Sequence, residues 1–342
     1  MRALERRLNA WWYGDGLASL LLTPLATLFA AVTAVRRGLY RRGWLRAYRA
    51  SVPVVVIGNL SVGGTGKSPL VAHLAATLAR RGLRPGILLR GYGASVRGPR
   101  RVSADTPVEE AGDEAVMLAA ATGLPVVVSP ERSAGARLLE TQGIDLILCD
   151  DGLQHYALAR DLEVVVIDVA RGLGNGRLLP AGPLREGPNR LASVDVVVLN
   201  GADEMQADRS AWRGREATIG MQLVPQAPRG IGQGSRWQSL DRFVGHPVHA
   251  VAGIGHPERF FATLRAAGLT VVEHAFADHH AYSAADFAFA DRLPILMTTK
   301  DAVKCRGFAD ERFWELPVGV RLVPEEGRIL LDRIDALCRR KE

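Results

Sequence analysis

Cysteine is nearly absent from this 342-residue chain: only Cys149, Cys305 and Cys338 occur, an odd number with no C-x-x-C spacing. That excludes a disulfide framework and leaves a cysteine-based zinc site without a ligand set, so a reducing compartment is expected. Lysine is scarce in another way. Lys67, Lys300, Lys304 and Lys341 are the only lysines among 43 basic residues; the other 39 are arginines. Acidic balance is lacking too. The net charge is +7, which favours anionic partners such as a nucleotide, a nucleic acid or an acidic lipid without choosing among them. With 48% hydrophobic and 23% charged residues the chain is ordinary for a globular protein, and its length suits about two lobes.

One long apolar run is present. Residues 17–35, "LASLLLTPLATLFAAVTAV", carry no charge over 19 residues, just enough to cross a bilayer, but Ser19, Thr23, Pro24, Thr27 and Thr33 dilute them. The next segment, "RRGLYRRGWLRAYR", holds six arginines and no acid, interleaved with Tyr40, Trp44 and Tyr48. Trp11, Trp12 and Tyr13 flank the other side, and Arg2, Arg6 and Arg7 precede them. Basic residues at both ends disfavour a single crossing. The pattern fits a helix or hairpin lying in an anionic membrane surface, with residues 1–50 as the anchor. Because the arginines adjoin an apolar run, lipid headgroups rather than nucleic acid supply the complementary charge.

The glycine-rich stretch "VVVIGNLSVGGTGKSPLVAHLA" spans Val54 to Ala75. A buried-strand pattern runs from Val52 to Ile57; past the glycines, Leu70, Val71, Leu74 and Leu78 recur at helical spacing and Gly82 supplies a stop. A strand-to-helix turn of this kind lets main-chain N–H groups converge on phosphate oxygens at a helix N-terminus. The strict pattern G-x-x-x-x-G-K-[ST] is broken by Ser61 in place of its first Gly, but no donor is lost. The cradle is Ser61, Val62, Gly63, Gly64, Thr65, Gly66, Lys67 and Ser68, with Lys67 on the β and γ phosphates and the Ser68 hydroxyl on Mg²⁺.

In "IDLILCDDGLQH" an apolar strand delivers Asp150 and Asp151 at its carboxyl end, where one of them would hold the metal's water shell. Further strand-like runs fall at 85–93, 124–129, 162–169, 194–200, 248–255 and 293–299. Unbroken apolar strands alternating with helices mean a largely parallel, doubly covered sheet, with ligands at the carboxyl ends. Arg90 closes one such strand and brings a guanidinium to that edge, where it could face transferring phosphoryl charge. Asp113 on its own reads equally well as a helix N-cap after Gly112.

The stretches "GNLSVGGTGKSP", "LLRGYG", "GDEAVMLA", "CDDGLQHY", "LPAGPLRE", "AGIGHPERFF", "FADHHAYS" and "TTKDAVK" together resemble the tetraacyldisaccharide 4′-kinases of lipid A synthesis. The resemblance implies a RecA-like phosphate-loop core over residues 51–205 and a smaller α/β lobe over 206–342, besides the N-terminal membrane helix. It implies an ATP- and Mg²⁺-dependent enzyme, monomeric, at the cytoplasmic face of the bacterial inner membrane. That enzyme would phosphorylate the 4′-hydroxyl of an acylated glucosamine disaccharide 1-phosphate. The family's catalytic aspartate falls on Asp113, its partner histidine on His279, and Glu114 joins the metal candidates. Arg185, Glu186 and His155 become candidates for the sugar head group. Ala115 and Thr299 depart from the family's usual Pro and Glu at those positions.

The rival from another class is a membrane-bound phosphate-loop switch, which would share the loop lysine, the metal aspartate and the anchor. It needs no alcohol-activating pair. An N-K-x-D guanine signature is missing, since Asp301 follows Lys300 directly in "TTKDA", so ATP is the expected nucleotide.

Overall fold

The computed structural model describes residues 11–14, 18–202, 212, 217–231 and 236–340. Arg2, Arg6 and Arg7, and the expected lobe boundary between residues 205 and 206, lie outside the described residues.

The uncharged N-terminal run does not form one segment. It divides at Leu22 into a short helix, Ala18–Leu21, and a long one, α1 (Thr23–Arg41), whose second residue is Pro24. Proline is pre-shaped for a first turn, so a helix restarts there and runs on into the arginine-rich segment. No described helix is long and apolar enough to cross a membrane. Leu25, Leu28, Val32 and Val35 are exposed along α1 at spacings of three and four, with Leu21 ahead of them, forming an uncovered apolar stripe.

The core then alternates strand and helix: β1 (Val54–Gly58), α2 (Lys67–Arg80), β2 (Pro85–Leu89), β3 (Arg100–Val102), α3 (Asp113–Thr122), β4 (Val126–Val128), α4 (Arg132–Glu140) and β5 (Leu146–Asp150). It continues through β6 (Leu162–Asp168), β7 (Val196–Asn200) and β8 (Ala217–Pro225). A second unit comprises β9 (Arg229–Gly230), β10 (Pro247–Ala252), α5 (Pro257–Ala266), β11 (Thr270–Ala275), β12 (Ile295–Thr298), α6 (Thr299–Cys305) and β13 (Phe313–Leu316). The chain closes with β14 (Val318–Leu322) and α7 (Pro324–Arg339).

The larger sheet has the order β14-β8-β7-β6-β1-β5-β2-β4-β3, parallel except at its two edge pairs. Val54 to Ile57 and Leu146 to Cys149 are all at most 1% exposed, which is why these strands read as continuous apolar runs. One face packs Leu70, Val71, Leu74 and Leu78 of α2 against the sheet; the other packs Leu139, Leu153 and Leu184. The smaller sheet, β11-β10-β12-β13-β9, carries its own two apolar faces.

The expectation of a second lobe over residues 206–342 is corrected by the topology. β8 pairs in parallel with β7, and β14 returns to pair with β8, so the larger sheet takes both ends of that segment. The smaller unit is an insertion between them. Leu330, Leu331 and Ile334 of α7 complete the first core beside α2.

Candidate active site

The phosphate loop forms as the spacing requires. Lys67 opens α2, with Gly66 before it at φ 94° and Gly63 at φ 102°, both in the region that favours glycine. A Cβ on Gly66 would also lie 2.8 Å from Asn200 Nδ2, and that amide donates to the Thr65 carbonyl at 2.9 Å. Asn200, at the end of β7, thus braces the loop from below. The other end is pinned by the Val62 N–H on the Pro183 carbonyl, 2.8 Å, and by Asn59 Nδ2 on the Gly63 carbonyl, 3.2 Å.

The two aspartates at the end of β5 divide sharply. Asp150 is buried, and neither carboxylate oxygen has a hydrogen-bond partner. Burial pushes its pKa up, and the charge of Glu114 adds to this against Lys67. Asp151 sits at φ 49° and lies 3.7 Å from Lys67 Nζ, while Arg185 Nη1 donates to both its oxygens at 3.0 and 2.9 Å. Burial works to raise its pKa, but the Lys67 and Arg185 charges win and hold it at about 2.

Asp113 is not a helix N-cap. Gly112 takes that position, Asp113 is the first helical residue, and its carboxylate turns to His279 with Nδ1 at 3.1 and 3.0 Å from its two oxygens. This contact joins the two sheets' lobes. His279 holds φ 59°, a conformation costly for a side-chain-bearing residue and frequent at functional sites. Tyr92 lies beside the imidazole, ring centroids 5.1 Å apart. Lys300 Nζ is 2.9 Å from Asp278, 3.5 Å from Glu114 and 4.0 Å from Asp113; Lys304 Nζ is 3.8 Å from Asp113 and 2.8 Å from Asp301.

Burial works to raise the Asp113 pKa, yet the His279 hydrogen bond and the Lys300 charge outweigh it and set the carboxyl below its ordinary value. The same hydrogen bond raises His279 against burial and Lys300. For Lys300 burial works to lower the pKa, but Glu114, Asp113 and Asp278 raise it overall. The arrangement is an ionised carboxylate orienting an imidazole, ringed by ammonium groups.

The head-group candidates behave differently from one another. Arg185 pairs with Asp151, as above. His155 is driven down to about 4 by burial together with the nearby Arg132 and Arg90 charges, and is a neutral imidazole at physiological pH. Arg90 is exposed at the end of β2. Glu186 is buried, accepts from the Tyr156 hydroxyl and from Gln154 Nε2 at 3.2 Å, and pairs with Arg190 at 3.5 Å. Its oxygens turn to protein partners. His280 likewise turns away, to Asp286 at 3.5 Å and the rings of Phe276 and Tyr282.

The tetraacyldisaccharide-1-P 4′-kinase family profile matches residues 18–336. The tetraacyldisaccharide 4′-kinase of Xylella fastidiosa (strain 9a5c) is 49% identical over 97% of each chain. That of Xanthomonas campestris pv. campestris (strain 8004) is 49% identical over 98% of this chain and 97% of its own. The chain belongs to the tetraacyldisaccharide-1-P 4′-kinase family. Among solved structures, LpxK from Aquifex aeolicus in complex with ATP superposes with a TM-score of 0.79 at 32% identity, covering 93% of this chain and 99% of that one. The phosphate-loop α/β fold and the kinase class expected from the sequence agree with these relatives.

Two groups of this kinase site escape sequence reading. Lys304 looks like any exposed helical lysine, yet its side chain is 6% exposed between two buried aspartates. The scarcity of lysine was the available signal, because all three described lysines, Lys67, Lys300 and Lys304, converge on this site. Asn200 ends a strand and gives no sign that it reaches the loop 135 residues earlier.

Proposed function

We propose that this kinase transfers the γ-phosphoryl group of ATP to the 4′-hydroxyl of an acylated glucosamine disaccharide 1-phosphate. The observation that carries the reading is the His279–Asp113 contact, 3.0 Å across two lobes, with neighbouring Glu114 close enough to Asp150 to raise its pKa. A hydrolytic switch does not need such an alcohol-activating pair.

The geometry supports the following roles. Main-chain N–H groups of residues 61–68 and the Lys67 ammonium hold the β and γ phosphates. Asp151 balances Lys67 and Arg185, and the phosphate oxygens of a bound nucleotide would share those cations. The acceptor hydroxyl loses its proton to His279 Nε2 while Nδ1–H stays on Asp113, as the 4′-oxygen forms its bond to phosphorus and the bond to the β-phosphate oxygen breaks. Arg90 stands exposed at the strand end to meet phosphate charge, and neutral His155 and Arg185 border the head group.

The residues fit Mg²⁺. Asp150 presents two buried oxygens without partners beside Ser68, and no described group of three or more His, Cys, Asp or Glu forms an all-protein cage. Mg²⁺ favours just such a site, one or two carboxylates completed by water and phosphate. Ser68, Asp150 and Glu114 would hold the ion, which when bound supplies positive charge to the transferring group.

The apolar stripe of α1 lies in the cytoplasmic leaflet of the bacterial inner membrane, its arginines on anionic headgroups. Docking of α1 supports this placement. Arg37 donates to Ser193 at 2.7 Å, and Tyr40 lies 6.0 Å from Tyr156, which bonds Glu186, so the helix meets the core beside the head-group edge. Both members of the acid–base pair come from one chain, so a monomer suffices.

The test incubates the protein with γ-labelled ATP and a mixed anionic lipid extract. Label on a lipid disaccharide is the expected result; release of free phosphate with no labelled lipid would replace the kinase with the switch.

A further inference from the structure

A cavity of about 510 Å³ opens beside the phosphate loop, lined by Tyr13, Ala170, Arg171, Gly174, Gly255 and His256. Three parts of the chain meet there: the N-terminal segment, the turn after β6, and the start of α5 in the inserted unit. None of the residues so far assigned to the reaction lines it.

Arg171 is its centre. The guanidinium stacks over the Tyr13 ring at 4.2 Å, and its Nη1 is buried without a hydrogen-bond partner. Asp168, the neighbouring acid, is already engaged: Arg259 donates to one oxygen at 2.7 Å and the Ala170 N–H to the other at 3.1 Å. A guanidinium that offers a fixed fork of donors and leaves one unmet in a half-buried position is costly unless an anion completes it. Burial lowers the Arg171 pKa, the expected sign for a cation whose compensation is incomplete.

The position of that donor is specific. A Cβ built on Gly63 would lie 2.8 Å from Arg171 Nη1 and 3.7 Å from His256 Nε2. One built on Gly255 would lie 3.8 Å from the Gly64 backbone nitrogen and 3.6 Å from Oδ2 of Asp278, whose other oxygen Lys300 already holds at 2.9 Å. Arg171 and the first residues of α5, whose N-cap is His256, are therefore pressed against the tip of the loop that holds the phosphates. Any side chain at Gly63 would displace the guanidinium.

We propose that this cavity is an anion subsite continuous with the phosphate loop, and that Arg171 donates from it to the terminal phosphate of the bound nucleotide as that phosphate transfers. A planar fork there would spread over charge that grows on the equatorial oxygens, where one well-placed donor is worth most. The inference rests on the phosphate-loop assignment above.

The test compares wild type, Arg171→Ala, Arg171→Lys and Lys67→Ala in calorimetric binding of ADP and of β,γ-imido-ATP, alongside steady-state transfer. For Arg171→Ala the subsite predicts an ADP affinity within about 3-fold of wild type, an imido-ATP affinity roughly 10-fold or more weaker, and kcat lower by roughly 10²-fold. Arg171→Lys should recover only part of kcat, because an ammonium does not replace the fork. If the alanine variant fails to fold, Arg171→Gln, of similar size and uncharged, carries the comparison. A kcat within about 3-fold of wild type, or equal weakening of both nucleotides, would overturn the proposal and leave Arg171 as packing for Tyr13. Should Lys67→Ala bind both nucleotides like wild type, the loop assignment itself fails; should it lose them while Arg171→Ala behaves like wild type, only the subsite falls.

Discussion

His279 Nδ1 lies 3.0 Å from Asp113 Oδ2, although Asp113 opens a helix on the nine-stranded sheet and His279 belongs to the inserted five-stranded unit. The pair fixes a pH signature. His279 is raised above 6.5, so the stability it adds is fully present below that value and is lost as pH rises through the raised pKa. Asp113 is lowered from 3.8, so its contribution is present above 3.8 and is lost as pH falls through the lowered pKa. The denaturation midpoints of wild type and Asp113→Asn should therefore differ most near pH 5, converge as pH falls through the lowered Asp113 pKa, and keep a smaller difference above the raised His279 pKa, where ionised Asp113 still faces Lys300 and Lys304. Because proton acceptance needs neutral imidazole, transfer should rise with pH through a value above 6.5, and Asp113→Asn should move that limb downward. Imidazole titration followed by NMR measures the same shift directly.

Lys67→Ala should lower transfer by roughly 10³-fold, because a single preorganised charge on the phosphates is lost. Lys67→Arg should not restore it, since a planar fork does not fit where a compact ammonium sits between loop and Asp151. Steady-state rates at saturating ATP decide both points.

Asp150→Asn should raise the Mg²⁺ concentration needed for half-maximal activity by roughly 10- to 100-fold, because it weakens a group that orients the metal's shell. A Mg²⁺ titration of the transfer rate checks it. An unchanged requirement would assign the buried carboxylate to structure alone.

Lys304→Met should destabilise the fold by about 3–5 kcal/mol, the usual cost of leaving a buried charge unpaired. Asp301 is fully buried and Asp113 is 3% exposed, and Lys304 lies between them. Urea denaturation at neutral pH would show the lower midpoint.

Much of this was legible because it is local. The alternation of apolar strands with helices, the glycines that demand a left-handed turn, and Lys67 at a helix start are each written within a dozen residues. The return of the chain was not. β8 and β14 are mixed in polarity because they sit toward the edge of the sheet, and nothing in either stretch says that 92 residues of another unit are inserted between them. Side-chain pairing is equally hidden, since nothing beside Arg185 says that Glu186 bonds Tyr156 and Arg190. Asp113 and His279 stand 166 positions apart, and only the family resemblance joined them in advance.

Gln at Leu25, Leu28, Val32 and Val35 should cut co-sedimentation with anionic vesicles while leaving ATP binding intact, because it removes the uncovered stripe of α1 without touching the loop. Unchanged pelleting would remove the leaflet placement.

The most direct test measures label passing from γ-labelled ATP to an acylated glucosamine disaccharide 1-phosphate, with ATP affinity determined in parallel, for wild type, Asp113→Ala and His279→Ala. The account predicts that each variant binds ATP within about 3-fold of wild type but transfers roughly 10²-fold slower or worse. Wild-type transfer by either variant would contradict it.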